Sequence, residues 1–350
     1  MEKIDVGILG ATGLVGQRLV QLLAHHPWFR LTTLAASPKS AGKKYRDACF
    51  WRLDSDMPES VRDMMVVPAA PDMACRVLFS GLSSAVALEI EDAFANNGHI
   101  VVSNARNHRM ESDVPLLIPE VNPDHTQVIP MQKSRRQSAG GFIVTNPNCV
   151  AIPLAMIAAP IHRKWGVESM FVTTMQAISG AGYPGHAALD ILDNVIPFIA
   201  GEEEKIESET RKILGAATAS GISFADIRIS AQVNRVAVSD GHLMTVALKL
   251  NQPATPGEVA GELEQFTALP QQLGLPTAPV RPIIVRREPN RPQPRLDRTR
   301  ENGMAVVVGR IRPCPIFDIK CVVLGHNTIR GAAGAAVLNA ELLKARGLLS

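Results

Sequence analysis

Cys149 lies between Asn146-Pro147-Asn148 and an apolar run from Val150 to about Ala159 whose spacing predicts a helix. Phe142-Ile143-Val144-Thr145, just upstream, reads as a strand, so the sulfur falls at a strand-to-helix junction. There the unsatisfied backbone N–H groups and the helix dipole favour thiolate over thiol, which predicts a lowered pKa and a nucleophile. The competing reading is an inert thiol, as expected for Cys49, Cys75, Cys314 and Cys321. A thiolate attacking a carbonyl needs a proton donor or acceptor beside it, and histidine is the usual supplier near neutral pH. Of nine histidines, His242 follows Gly241 at the start of a predicted strand, where it could face a cleft or be structural. Arg235, inside an otherwise apolar strand, requires an anionic partner, either a substrate carboxylate or a structural Asp or Glu.

A second constellation binds rather than reacts. Gly10-Ala11-Thr12-Gly13-Leu14-Val15-Gly16 follows an apolar strand and opens a helix, Leu14 to Leu23. Glycines there let backbone approach a pyrophosphate, and the helix N-terminus attracts its charge. After the second predicted strand an NAD site presents Asp or Glu to the ribose. Here Ser37-Pro38-Lys39-Ser40 stands in that place, with Lys43 and Lys44 beyond, so NADP is expected over NAD; a plain solvated loop is the alternative. Ser179-Gly180-Ala181-Gly182 either brings backbone against a flat ring such as nicotinamide or is an ordinary turn.

The elements that must position these groups follow from patterning. Apolar runs at Leu31–Ala36, Arg76–Ser80 and Ile100–Ser103 alternate with helical segments over about 145 residues. That pattern predicts a Rossmann-type parallel sheet covered by helices. Beyond it, Ser169–Ile178, Ile227–Val238 and His242–Leu250 are longer strand-like runs, which predict an α+β second domain with a mainly antiparallel sheet. Met131–Gly141 is polar and basic and is expected to be a surface loop. Arg281 to Arg300 holds seven arginines and four prolines and is expected to be an irregular, solvated or subunit-contacting arm.

Composition agrees with this outline. At about 150 residues per domain, 350 residues suggest two domains, and 46% hydrophobic with 20% charged residues excludes disorder as the main state. A net charge of +3 is too small for a dedicated nucleic-acid binder, and the arginine arm has interleaved acids and no aromatic platform. Five cysteines without a C-x-x-C pair or a histidine-rich cluster predict a reduced protein with no metal. The N-terminal residues lack signal-peptide character and no run is apolar enough for a membrane span, so the expected location is the cytoplasm.

Taken in order, Gly10-Ala-Thr-Gly-Leu-Val-Gly16, Asn146-Pro-Asn-Cys149, Gln176-Ala-Ile-Ser-Gly-Ala-Gly-Tyr-Pro-Gly185, Arg235-Val-Ala-Val-Ser-Asp-Gly-His242, Arg291-Pro-Gln-Pro-Arg-Leu-Asp-Arg298 and Leu324-Gly-His-Asn-Thr-Ile-Arg-Gly-Ala-Ala-Gly334 resemble the aspartate-semialdehyde dehydrogenases, in their archaeal and fungal branch. The resemblance implies NADP-dependent, phosphorylating oxidation of L-aspartate 4-semialdehyde to 4-phospho-L-aspartate, run in the cell as reduction toward lysine, threonine and methionine. It implies that Cys149 forms the thiohemiacetal and thioacyl enzyme, that His242 is the acid/base and that Gln176 orients the intermediate. Arg235 would hold the substrate carboxylate. Glu202 and Lys205 would serve the amine and phosphate, with Glu203 and Glu204 blurring the choice, and Arg106 would be the second phosphate ligand. Asn148 joins the substrate group, and Thr12, Leu14, Val15, Ser179, Gly182 and Asn327 join the cofactor group. A homodimer or homotetramer is implied, as is a division into a cofactor domain, 1–148 completed by a C-terminal helix at 329–350, and a catalytic and dimerisation domain, 149–328.

Two rivals remain at this level. A malonyl-CoA reductase of the same fold would need neither the Lys205 and Arg106 phosphate site nor an amine-binding carboxylate. A non-catalytic NADP-binding sensor would have no need to combine Cys149, Gln176 and His242.

Overall fold

A computed structural model of the chain describes residues 2–138 and 140–349. Met1 and Ser350, the outer ends of the expected division, and Ala139, in the expected loop, lie outside them. Six strands form the first sheet: β1 (Ile4–Leu9), β2 (Phe29–Ala36), β3 (Val66–Pro68), β4 (Val77–Ser80), β5 (Ile100–Ser103) and β6 (Phe142–Thr145). All pair in parallel, in the order β3-β2-β1-β4-β5-β6. β4, β5 and β6 are buried along their whole length, as strands covered on both faces must be, which is why they read as unbroken apolar runs. The strand order reverses direction between β1 and β4, and a doubly wound sheet opens its ligand crevice at the carboxyl ends there.

The second sheet is seven-stranded, in the order β13-β14-β15-β12-β7-β11-β8. Its members are β7 (Val167–Gln176), β8 (Val195–Ile196), β11 (Arg228–Val236), β12 (His242–Leu250), β13 (Ile283–Arg286), β14 (Val306–Pro313) and β15 (Ile319–Gly325). β9 (Ala216–Thr218) and β10 (Gly221–Ser223) form a separate hairpin. The large sheet is mainly antiparallel, with β7–β11 and β13–β14 the parallel pairs. One face packs on helices Ala151–Trp165, Glu202–Ile213 and Pro256–Glu264, while residues of the other face, among them Phe171, Thr245 and Gln232, remain exposed. Helix Ala151–Trp165 is apolar on every side and correspondingly buried along most of its length. The C-terminal helix Gly334–Ala345 returns to the first sheet, where Ala336, Val337 and Leu338 share a buried cluster with Val6 and Ile8.

Two expectations are corrected. Residues Ile129–Arg136 form a helix rather than a surface loop, with Pro130 in the first turn and Gln137 left-handed at the end. Its polarity misled because Gln132 points inward, donating to Asp113 O at 3.0 Å and Ile143 O at 2.9 Å and accepting from the Ile143 N–H. The arginine arm is ordered around Asp297, which has no exposed surface and accepts from Arg286 at 3.1 Å, Arg291 at 2.6 Å and the Gln293 N–H at 2.8 Å. Part of the arm, β13, is an edge strand.

Candidate active site

Helix Ala151–Trp165 begins just beyond β6, and the junction leaves Cys149 on the wall of a cavity of about 620 Å³. Leu14 from the glycine turn, Leu82 after β4 and Asn104 after β5 also line it, so it occupies the crevice that the sheet order predicts. Leu14, Val15, Ser179, Gly180, Gly182 and Asn327, expected to hold the cofactor, line it. Asn148, Gln176, Glu202, Lys205, Arg106 and Arg235, expected to bind substrate and phosphate or to orient the intermediate, line it as well. Gly10, Thr12, Gly13 and Gly16 lie in the turn beneath, and Ser37, Lys39 and Ser40 lie outside the cavity in the turn after β2.

The glycine turn fits a dinucleotide. A Cβ on Gly16 would come 2.2 Å from Gly10 O, so only glycine lets the helix close onto the turn. A Cβ on Gly13, the N-terminal cap, would meet nothing nearer than 3.5 Å, which leaves open ground above the helix amides.

Cys149 Sγ is 3.1 Å from His242 Nε2. His242 is fully buried at the start of β12, and its Nδ1 accepts the Ala177 backbone N–H at 3.0 Å. The expected lowering of the thiol pKa is not found: burial, with help from the Glu202 carboxylate, pushes it up to about 12 against the Arg109 and Arg235 charges. The helix amides that were to stabilise the thiolate are already occupied. Asn148 Oδ1 accepts from Val150 N at 2.8 Å and Ala151 N at 3.3 Å, and the Ile152 N–H goes to Asn148 O. Burial first, then Arg235, pushes His242 down to about 3.

Arg235 is buried at the end of β11 and donates from Nη1 to Ala177 O at 2.8 Å, while its Nε has no partner among the described residues. Among the described residues no carboxylate pairs directly with Arg235, although the Glu202 charge favours its positive form. Glu202 Oε1 accepts from Asn148 Nδ2 at 2.8 Å and its Oε2 pairs with Lys205 at 3.0 Å. Glu203 instead accepts the Val233 N–H, and Glu204 is exposed, so Glu202 is the glutamate of the three that belongs to the site. Asn327 ties the turn to the strand, donating to Ser179 Oγ and accepting the Gly241 N–H, each at 2.8 Å.

Two residues escaped the sequence reading. Arg109 also lines the cavity, buried where Arg106 is exposed; its Nη1 pairs with Glu209 at 2.9 Å and its Nε has no partner among the described residues. Glu209, seven residues after Glu202 on one helix, was invisible because nothing in its local sequence separates it from the other glutamates there.

Two family models match the chain, the NAD binding domain of semialdehyde dehydrogenases over residues 5–129, which holds β1 (from Asp5) to β5, and their dimerisation domain over 158–330, which holds the seven-stranded sheet. Fold and site thus define the semialdehyde dehydrogenase class. Aspartate-semialdehyde dehydrogenase of Methanothermobacter thermautotrophicus is 50% identical over 344 residues, 97% of this chain and 99% of that one. The Schizosaccharomyces pombe enzyme of the same name is 49% identical over 352 residues, 98% and 99% of the two chains. Among solved structures, Candida albicans aspartate semialdehyde dehydrogenase with NADP superposes with a TM-score of 0.92 at 43% identity, covering 99% of this chain and 100% of that one. The chain belongs to the aspartate-semialdehyde dehydrogenase family.

Proposed function

We propose that the chain catalyses the reversible, NADP-dependent, phosphorylating oxidation of L-aspartate 4-semialdehyde to 4-phospho-L-aspartate through a thioacyl on Cys149. The observation that carries this reading is the 3.1 Å contact of buried His242 Nε2 with Cys149 Sγ, whose residue lines a cavity that also presents Arg235 and Arg109. The Cys149 thiol adds to the aldehyde carbon, forming a C–S bond as the carbonyl becomes a C–O single bond, and the thiol proton passes by way of His242, 3.1 Å from the sulfur, to the oxygen. Arg235 holds the substrate carboxylate with the guanidinium positions that the protein leaves unused. Glu202 receives the substrate amine, and Gln176, buried beside the cavity, fixes the orientation of the bound chain. NADP, when bound, supplies the hydride acceptor in oxidation and the donor in reduction; the turn Gly10–Gly16, the Ser179–Gly182 turn and Asn327 would hold it, with Ser37, Lys39 and Ser40 toward a 2′-phosphate. In the acyl step a phosphate oxygen bonds to the thioacyl carbon and the C–S bond breaks, with Lys205, Arg109 and Arg106 offsetting the phosphate charge.

The Lys205, Arg109 and Glu202 set favours this reading over a malonyl-CoA reductase, whose acyl carrier requires neither an amine-binding carboxylate nor a free-phosphate site. We also propose that the chain works in the cytoplasm, which its unpaired cysteines support, and as a homodimer or homotetramer through the half-exposed face of the seven-stranded sheet. The division at 148/149, with 329–350 rejoining the first sheet, is the domain organisation we adopt. Cys149→Ala tests the covalent step: NADP binding persists and turnover disappears, whereas appreciable residual turnover contradicts it.

A further inference from the structure

Lys212 has no exposed surface, a rare place for an ammonium group. Among the described residues its hydrogen-bond partners are main-chain oxygens and no carboxylate: Nζ donates to Arg109 O at 2.6 Å, Glu111 O at 2.6 Å and Val114 O at 2.9 Å. Those contacts use all three N–H bonds of an ammonium. Burial pushes the group down to about 8, against the charges of Glu111, Asp113 and Glu209, so near neutral pH it stays largely ionised.

The three oxygens belong to the loop 104–114 that follows β5 and carries Arg109 to the cavity. The acidic side chains of that loop are engaged elsewhere, since Glu111 and Asp113 pair with Arg135 on helix Ile129–Arg136. Arg109 is therefore held at both ends. Its carbonyl oxygen is bound by Lys212, its Nη1 pairs with Glu209 at 2.9 Å and its Nη2 donates to Asn104 O at 2.8 Å. Glu202, Lys205, Glu209 and Lys212 follow one another at steps of three, four and three residues, which puts them on one face of helix Glu202–Ile213. The first two line the cavity, the third grips the Arg109 side chain and the fourth grips its backbone.

We infer that Lys212 is a positioning residue for phosphate: by gathering the carbonyl oxygens of Arg109, Glu111 and Val114, it fixes where the Arg109 guanidinium meets the phosphate in the acyl step. The inference rests on the proposed phosphorylating reaction and adds to it a residue that does not line the cavity. Lys212→Met keeps an unbranched apolar stem but leaves three buried oxygens without their donor, so the loop is released. Lys212→Arg keeps the charge, and its planar fork cannot point at three convergent oxygens, so it should restore the loop only in part.

The test uses the full-length protein and both variants. NADP reduction is measured with phosphate and L-aspartate 4-semialdehyde varied separately, beside backbone hydrogen exchange. In Lys212→Met the KM for phosphate should rise about tenfold or more, and that for the semialdehyde should stay within about twofold, since the displaced group serves phosphate alone. Lys212→Arg should fall between that variant and the wild type. Exchange should quicken in 104–114 and not in helix Ala151–Trp165. A folded Lys212→Met protein with the wild-type KM for phosphate overturns the inference, as does an equal rise in both KM values, which marks a general disturbance. If neither variant folds, the wild-type protein decides: saturating inorganic phosphate should slow exchange in 104–114, and no slowing in an enzyme whose turnover requires phosphate overturns it. Wild-type turnover that does not require phosphate would instead remove the underlying reading, while the exchange data report the hold of Lys212 on the loop whatever that result.

Discussion

The Asn148 backbone N–H donates to Glu209 Oε2 at 2.6 Å, and the other oxygen of that carboxylate pairs with Arg109 at 2.9 Å. Two turns earlier on the same helix, Glu202 takes the Asn148 side chain. One helix face therefore holds the residue before Cys149 at both ends, and ties it to a cation on the cavity wall.

Removing Glu209 leaves Arg109 a buried charge without its partner, which costs about 3–5 kcal/mol. Glu209→Ala is expected to lose stability on that scale in urea unfolding. Glu209→Gln, which keeps the shape, is expected to fold and to lower kcat/KM by up to about 100-fold through displacement of Asn148 and Arg109. Wild-type kcat/KM in Glu209→Gln would make the carboxylate structural only.

Gly331 packs against Cys149, and a Cβ there would stand 2.7 Å from Cys149 Cβ. Gly331→Ala should lose about 1–3 kcal/mol through overpacking. Its loss in kcat should be disproportionate, because the atom that yields carries the sulfur. Melting temperature and kcat measured together separate the two effects; a fall in stability with unchanged kcat counts against this placement.

Among the described residues Arg235 donates a single hydrogen bond, to Ala177 O, and its Nε has no partner. Arg235→Lys retains charge but removes the planar fork. A loss in kcat/KM of about 100-fold, some 2.7 kcal/mol of transition-state binding, is expected with little change in melting temperature. Unchanged kinetics would assign the guanidinium to holding Ala177 alone.

Acid should destabilise the fold through its buried histidines. Burial pushes His125 and His326 down to about 4 each, below the ordinary value near 6.5. Between those values the unfolded chain binds more protons than the folded one, so stability rises with pH across the window. The contribution is complete above about 6.5 and is lost as pH falls toward 4. Urea midpoints from pH 4 to 7 should follow that slope, and His125→Gln should flatten it; a flat wild-type profile would contradict the assignment.

Much of this was legible in the chain because the information was local. Leu14–Leu23, Ile100–Ser103, Phe142–Thr145 and His242–Leu250 lie where apolar periodicity placed them. β3 was not anticipated, since three residues ending in proline carry too little pattern. Helix Ala151–Trp165 was cut short at Pro160, which a sufficiently buried helix accommodates. At the site, Cys149, His242 and Arg235 stood out by type and position, whereas Glu202 stood out only through the family resemblance. Glu209 and Arg109 did not stand out, because their significance arises from a 100-residue separation closed by one ion pair. The thiol environment was misjudged for a related reason: whether helix amides reach a sulfur depends on where the Asn148 side chain turns, and that is decided by packing.

The central claim, a phosphate-dependent acyl transfer at Cys149, is tested most directly by measuring NADP reduction with L-aspartate 4-semialdehyde, with and without phosphate, alongside NADPH oxidation by malonyl-CoA. The account predicts rapid reduction that requires phosphate, and no turnover of malonyl-CoA. Activity with malonyl-CoA, and none with the semialdehyde and phosphate, would contradict it.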